Sequence, residues 1–190
     1  MPNWCDNKLT LRNCRPQEYI AFVKKYFDKQ GDFDFNRVIP EPKRKKDCPS
    51  EFWVTPDSHV CQEKDKPWFD WYEWHCAMWG TKWNSDGTAC MPIKEAAKLD
   101  PDSFRDFDIY FETAWSPAIP VIEALIEQCP AIDIVCSFYE GGCWFAGYID
   151  ETGVNYCDDS EVKDFAISEC FAYPEDFMSD EDEEENNNEA

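Results

Sequence analysis

The stretch FRDFDIYFETAWSPAIPVIEALIEQCPAIDIVCSFY, residues 104–139, constrains the fold more than any other part of the chain. It opens with alternation: Phe107, Ile109 and Phe111 face one way, while Asp106, Asp108, Tyr110 and Glu112 face the other. Period two is the mark of a half-buried strand. The period then lengthens. Val121, Ile122, Leu125, Ile126 and Cys129 form a helical stripe, with Ser116 suited to cap its start and Pro130 just beyond its end. Pro117 and Pro120 are tolerable in a first turn. Alternation returns with Ile132, Ile134, Cys136 and Phe138 against Asp133, Ser137 and Tyr139. A strand, a helix and a second strand with these faces bury the helix stripe against a sheet.

The N-terminal part repeats the plan. Trp4 to Arg12 alternates, and Pro16 to Phe27 is helical by period. Phe33 and Phe35 within FDFN read as a short second strand, ended by Pro40 and Pro42. Residues from about 40 to 103 read as an insertion, including the basic tetrad Lys43–Lys46 in an exposed loop. Within it, Trp68, Trp71, Tyr72, His75 and Trp79 recur at helical spacing until Gly80, and Ile93 to Leu99 fits a short helix. Toward the C-terminus, Gly141-Gly142 supplies a hairpin turn through positive φ. Cys143 to Ile149 and Val154 to Cys157 follow as strands, and a helix from about Ser160 to Phe171 competes with an irregular reading. Residues 174–190 are acidic and then Asn-rich, and read as a disordered tail. The expectation is one α+β domain, residues 1–173. It is a ferredoxin-like sandwich: an antiparallel-rich sheet with two helices on one face, extra C-terminal hairpin strands and a Trp-rich insertion.

Charge narrows the partners. The net charge is −22, with nine acids and no base from Glu175 onward. The remaining body is still acidic, which repels phosphate backbones. Direct nucleic-acid binding is not expected; a protein partner is. No apolar run is long enough to span a bilayer, so no membrane role is expected. The N-terminus carries no secretory pattern and the eleven cysteines are irregularly spaced without a CxxC, which suits reduced thiols in a cytoplasm. The two histidines lie near Cys61 and Cys76, but without the close ligand pairs of a zinc site, so neither metal nor cofactor is expected.

GxSxG, HExxH, GxxxxGK[ST] and GxGxxG are all missing, and no enzymatic activity is expected. Two short motifs stand out instead. In WGTKW, Lys82 lies between Trp79 and Trp83 after Gly80, and could serve a planar or anionic ligand or form a packed corner. In TAWSP, Trp115 and Ser116 sit where a strand hands over to a helix, where backbone N–H groups can hold an anion. Trp79, Gly80, Lys82, Trp83, Trp115 and Ser116 are therefore the candidate ligand-binding residues.

Five stretches in order carry a resemblance: MPNWCDNKLTL, FDFNRVIPEP, WGTKW, ETAWSPAIPVIEAL and FYEGGCWFAG. Together they resemble the YubB ferredoxin-like family, small proteins encoded by plasmids, phages and bacteria. The resemblance runs from Met1 to about Gly147 and implies a ferredoxin-like α+β fold. It implies no reaction and no catalytic residue. The Trp68–Trp74 cluster and the acidic tail stand outside the shared pattern. The leading expectation is a non-enzymatic cytoplasmic protein of a mobile element that binds another macromolecule, a counter-defence role by charge mimicry being one version. The alternative is an enzyme or small-ligand binder built on WGTKW and TAWSP. Single-strand stacking on an aromatic sheet face is a third class, opposed by the net charge.

Overall fold

The computed structural model describes residues 3–41, 52–53 and 69–177. The basic tetrad, Trp68, His59 and most of the expected tail lie outside these residues. Strand β1 (Trp4–Cys14) leads into helix α1 (Pro16–Tyr26), with Pro16 at the first helical position as its sequence suggests. Tyr19, Ile20, Phe22, Val23 and Tyr26 form its buried face.

The expected strand at Phe33–Asn36 does not form. Phe33 makes only an isolated bridge with Phe27, and Phe35–Arg37 is a 3-10 turn. Side chains take the backbone donors that a ladder would need: Thr88 accepts from the Phe33 N–H at 3.1 Å, Asn84 from Phe35 at 2.8 Å and Asp34 from Asn36 at 3.0 Å. Both phenyl rings are nevertheless buried. The apolar face was legible, but its period was not evidence of extension.

A short antiparallel pair, β2 (Phe52–Trp53) and β3 (Phe69–Asp70), precedes helix α2 (Trp71–Met78). Trp74 and His75 are its buried residues; Tyr72, expected on the buried face, is exposed. Strand β4 (Asp86–Cys90) and helix α3 (Ile93–Ala96) follow, then β5 (Arg105–Ala114), α4 (Ile119–Gln128), β6 (Asp133–Glu140), β7 (Phe145–Asp150), β8 (Gly153–Tyr156) and α5 (Val162–Ser168).

The six main strands lie in the order β4-β5-β1-β6-β7-β8, every neighbouring pair antiparallel. Two split units interlock. β1–α1–β4 leaves room for β5 between its strands, and β5–α4–β6 leaves room for β1. That is the ferredoxin-like plan, with β7 and β8 added beside β6. Its second strand is β4, which falls inside the stretch set aside as an insertion.

Cys5, Leu9 and Leu11 of β1, Phe107, Ile109 and Phe111 of β5, and Ile134, Cys136 and Phe138 of β6 meet α1 and α4 in the main core. The other sheet face is covered in part. Tyr139 and Ala146 pack with Val162 and Ala166 of α5, so β6 is buried on both sides. Pro174–Phe177 forms a 3-10 turn, and the Phe177 ring meets Trp144 at 5.8 Å. These four residues of the expected disordered tail are therefore structured. Among the described residues no helix is long and apolar enough to cross a membrane.

Candidate functional site

WGTKW and TAWSP meet, and hydroxyl-to-carbonyl bonds hold them together. Thr81 Oγ1 donates to the Ala114 carbonyl at 2.8 Å, and Ser116 Oγ donates to the Gly80 carbonyl at 2.6 Å. Thr113 Oγ1 donates in turn to the Ser116 carbonyl at 2.8 Å. Gly80 sits at φ 76°, in the left-handed region. A Cβ there would lie 2.8 Å from Pro120 Cδ, so both conformation and space require glycine.

Ser116 is thus a clamp on Gly80 rather than the helix cap. Helix α4 starts at Ile119, and Ala118 precedes it. The Ile119 N–H goes to Pro117 O and the Val121 N–H to Ala118 O, while Pro120 has none. The first three helical residues therefore present no free donor for an anion.

Trp79 is core. It is 1 % exposed, its indole N–H donates to the Ile39 carbonyl at 3.0 Å, and it meets Phe35 and Trp74 edge-on. His75 stacks on it at 4.1 Å and bridges Glu41 and the Lys82 carbonyl, through Nε2 at 2.5 Å and Nδ1 at 2.8 Å. Lys82 and Trp83 belong to the surface: the ammonium lies 4.5 Å from the Trp83 ring and 5.7 Å from Tyr72, and Trp83 leans on Trp4 at 6.1 Å. The six candidates are therefore divided. Gly80 and Ser116 line a common cavity; Lys82 and Trp83 form a neighbouring cation–aromatic pair; Trp79 is internal; Trp115 is exposed.

The cavity is an open cleft of about 530 Å3 on the helix-bearing side of the sheet. Gly80, Ser116, Pro117, Ile119 and Pro120 form one wall, and Phe145 and Tyr156 the other. Phe145 and Tyr156 both pack against Phe138, at 6.1 and 5.4 Å. No acid, histidine, lysine or cysteine lines it; of its two hydroxyls, that of Ser116 is committed to Gly80 and the other is the Tyr156 phenol.

Two tryptophans adjoin the walls in conformations that bulky residues rarely adopt. Trp115, at φ 74°, immediately precedes Ser116; Trp144, at φ 57°, immediately precedes Phe145. Both remain exposed, 49 % and 39 %. The φ expected of Gly141 or Gly142 is carried by Trp144 instead. Gly142 lies against the Asn3 and Glu140 side chains, which a Cβ there would have to displace. Holding a non-glycine residue left-handed costs about 1–2 kcal/mol, and such strain concentrates at binding sites.

On the opposite sheet face, Asp6 lies between Glu112 of β5 and Tyr139 of β6. Burial pushes its carboxyl up to about 6, and the charges of Glu112 and Glu140 add to the shift. The thiols of Cys5 and Cys136 are pushed up by burial as well, away from nucleophilic character. Among the described residues no three His, Cys, Asp or Glu side chains gather closely enough to hold a metal ion.

Phe145 and Tyr156 were not among the candidates. Phe145 lies within FYEGGCWFAG, and Ile119 and Pro120 within ETAWSPAIPVIEAL, so three of the five ordered motifs converge on the cleft. That co-occurrence was the signal; the strand pairing that unites them was not in it.

Residues 94–189 match the family described as the ferredoxin-like domain in Api92-like protein. The chain belongs to that family. The match takes in both strands of the β5–α4–β6 unit and every cleft residue except Gly80, and extends into the acidic tail. No curated protein and no solved structure matches the chain.

Proposed function

We propose that this ferredoxin-like protein is a non-enzymatic binding protein that holds a partner protein in the cleft between the start of α4 and the ends of β7 and β8. The observation that carries the reading is an apolar cleft walled by Phe145 and Tyr156, with the wall residues Ser116 and Phe145 each preceded in the chain by an exposed tryptophan at positive φ. Apolar concavity with aromatic neighbours is the chemistry of an anchor pocket. No carboxylate, imidazole, amine or thiol lines it to serve as a base beside the Tyr156 phenol, which favours binding over the alternative enzyme. The Lys82–Trp83 pair supports a second, smaller reading as a contact for an acidic or planar group beside the cleft. Nucleic acid is disfavoured by the net charge of −22 and by Lys8, a cation of the open sheet face, which is paired with Glu169 at 3.0 Å.

The finer reading, a YubB-like cytoplasmic protein of a phage or plasmid with a counter-defence role, rests on the five ordered motifs and the acidic charge. Residues 1–173 as one domain is likewise a reading of those motifs and the shared core.

The test is affinity capture from a bacterial lysate with the wild-type chain and with Ile119→Glu, which places a charge in the cleft. One stoichiometric protein retained by the wild type and lost by the variant is expected. Identical retention by both chains contradicts the reading.

A further inference from the structure

We propose that the outer edge of β8 receives an extended, Lys- or Arg-bearing segment of the partner as a seventh strand, with an apolar side chain of that segment entering the cleft beside Tyr156. This rests on the reading of the cleft as a protein-binding site and specifies how the partner sits and what chemistry it carries.

β8 is the last strand of its sheet, and β7 is its only ladder partner among the described residues. The Cys157 N–H goes to the Ala146 carbonyl at 3.0 Å, and Tyr156 stands opposite Gly147. Inward-bonded residues alternate along an antiparallel ladder. Gly153 and Asn155 therefore spend their backbone groups on β7, while Val154 and Tyr156 present N–H and C=O outward. Proteins commonly blunt such edges with charge or proline. The sequence of β8, Gly-Val-Asn-Tyr, has neither.

The edge and the cleft are continuous, because Tyr156 belongs to both. A residue paired with Tyr156 carries its side chain to the same sheet face as the Tyr156 ring. That is the face where Phe145 and Ile119 lie.

Charge selects the occupant. Residues 106–162 contain twelve Asp and Glu and no Lys, Arg or His. Asp150 and Glu151 flank one end of β8, and Asp158, Asp159 and Glu161 the other. Glu123 lies exposed one helical turn beyond Ile119 and Pro120. An apolar slot and a free strand edge inside an acidic field fit a segment that alternates basic and aliphatic residues.

The probe is a capped octapeptide of alternating lysine and leucine, titrated against the full chain at low and physiological salt. With the peptide antiparallel to β8, leucines facing the cleft side are the residues whose amides would bond Val154 and Tyr156. Expected is binding with slowed exchange of the Val154 and Tyr156 amides. N-methylation of the leucine amides should weaken binding about tenfold or more, and N-methylation of the lysine amides should not. Val154→Pro, which removes one outward N–H, should weaken it similarly, and a glutamate-for-lysine peptide should not bind. Equal binding of both N-methylated peptides, equal binding of the glutamate peptide, or no binding of the lysine peptide overturns the strand addition. If binding ignores N-methylation yet is lost in Ile119→Glu, the cleft reading stands without the strand. If it also survives Ile119→Glu, both fail.

Discussion

Gly80 carries the sharpest demand at the level of single residues. Its positive φ and the 2.8 Å approach of Pro120 Cδ predict that Gly80→Ala destabilises the fold by about 2 kcal/mol in urea unfolding. In a Pro120→Ala background the steric part disappears and the cost should fall by about half, which a double-mutant cycle reads. Asp6 makes a second prediction. Its carboxyl is raised, so between the unfolded value near 4 and about 6 the folded chain holds a proton that the unfolded chain releases. Stability therefore falls as pH rises through that window and stays reduced above it. Asp6→Asn should gain about 1 kcal/mol at pH 7, allowing for solvent screening of a part-exposed group, and nothing near pH 3. Denaturation curves at the two pH values check this. An equal gain at both would place the effect outside titration.

Among the elements, α5 distinguishes this sheet from one with an open second face. Val162 and Ala166 cover Tyr139 and Ala146, and Lys8 reaches Glu169 just past the end of α5. Ala166→Glu forces a charge into that contact and should release α5. Hydrogen exchange should then quicken at residues 162–168, while β1 and β5 keep their protection. Uniform loss across the sheet would mean that α5 belongs to the main cooperative unit. The elements also show what was legible. Alternation located β1, β5 and β6 within a few residues, because each has one face in the main core, and glycine turns located β7 and β8. It failed at Phe33–Asn36, where Thr88, Asn84 and Asp34 capture the backbone donors. It missed β4, whose residues Asp86, Gly87 and Ala89 are exposed and carry no apolar stripe. Ser137 and Tyr139 were read as the outer face of β6. Both are buried, Tyr139 because α5, distant in sequence, folds over it.

For the whole molecule, the candidate site was half legible. Sequence named Gly80 and Ser116 and paired their motifs, but Phe145 and Tyr156 join them only through the addition of β7 and β8 beside β6. Trp79 misled because tryptophan density marks core and surface alike; burial alone separates Trp79 from Trp115. Among the described residues of the tryptophan-rich stretch, Trp74 and Trp79 are buried and Trp83 is exposed. The acidic field makes a global prediction. Partner association should slow by about tenfold or more between low and physiological salt, with dissociation little changed. The central claim is that the cleft, not the acidic sheet face, holds the partner. Methyl and aromatic NMR shift mapping with the captured partner tests it most directly. Ile119, Phe145, Val154 and Tyr156 should move on binding. Shifts confined to Thr10 and Tyr110 on the opposite face, with the cleft unchanged, would contradict it.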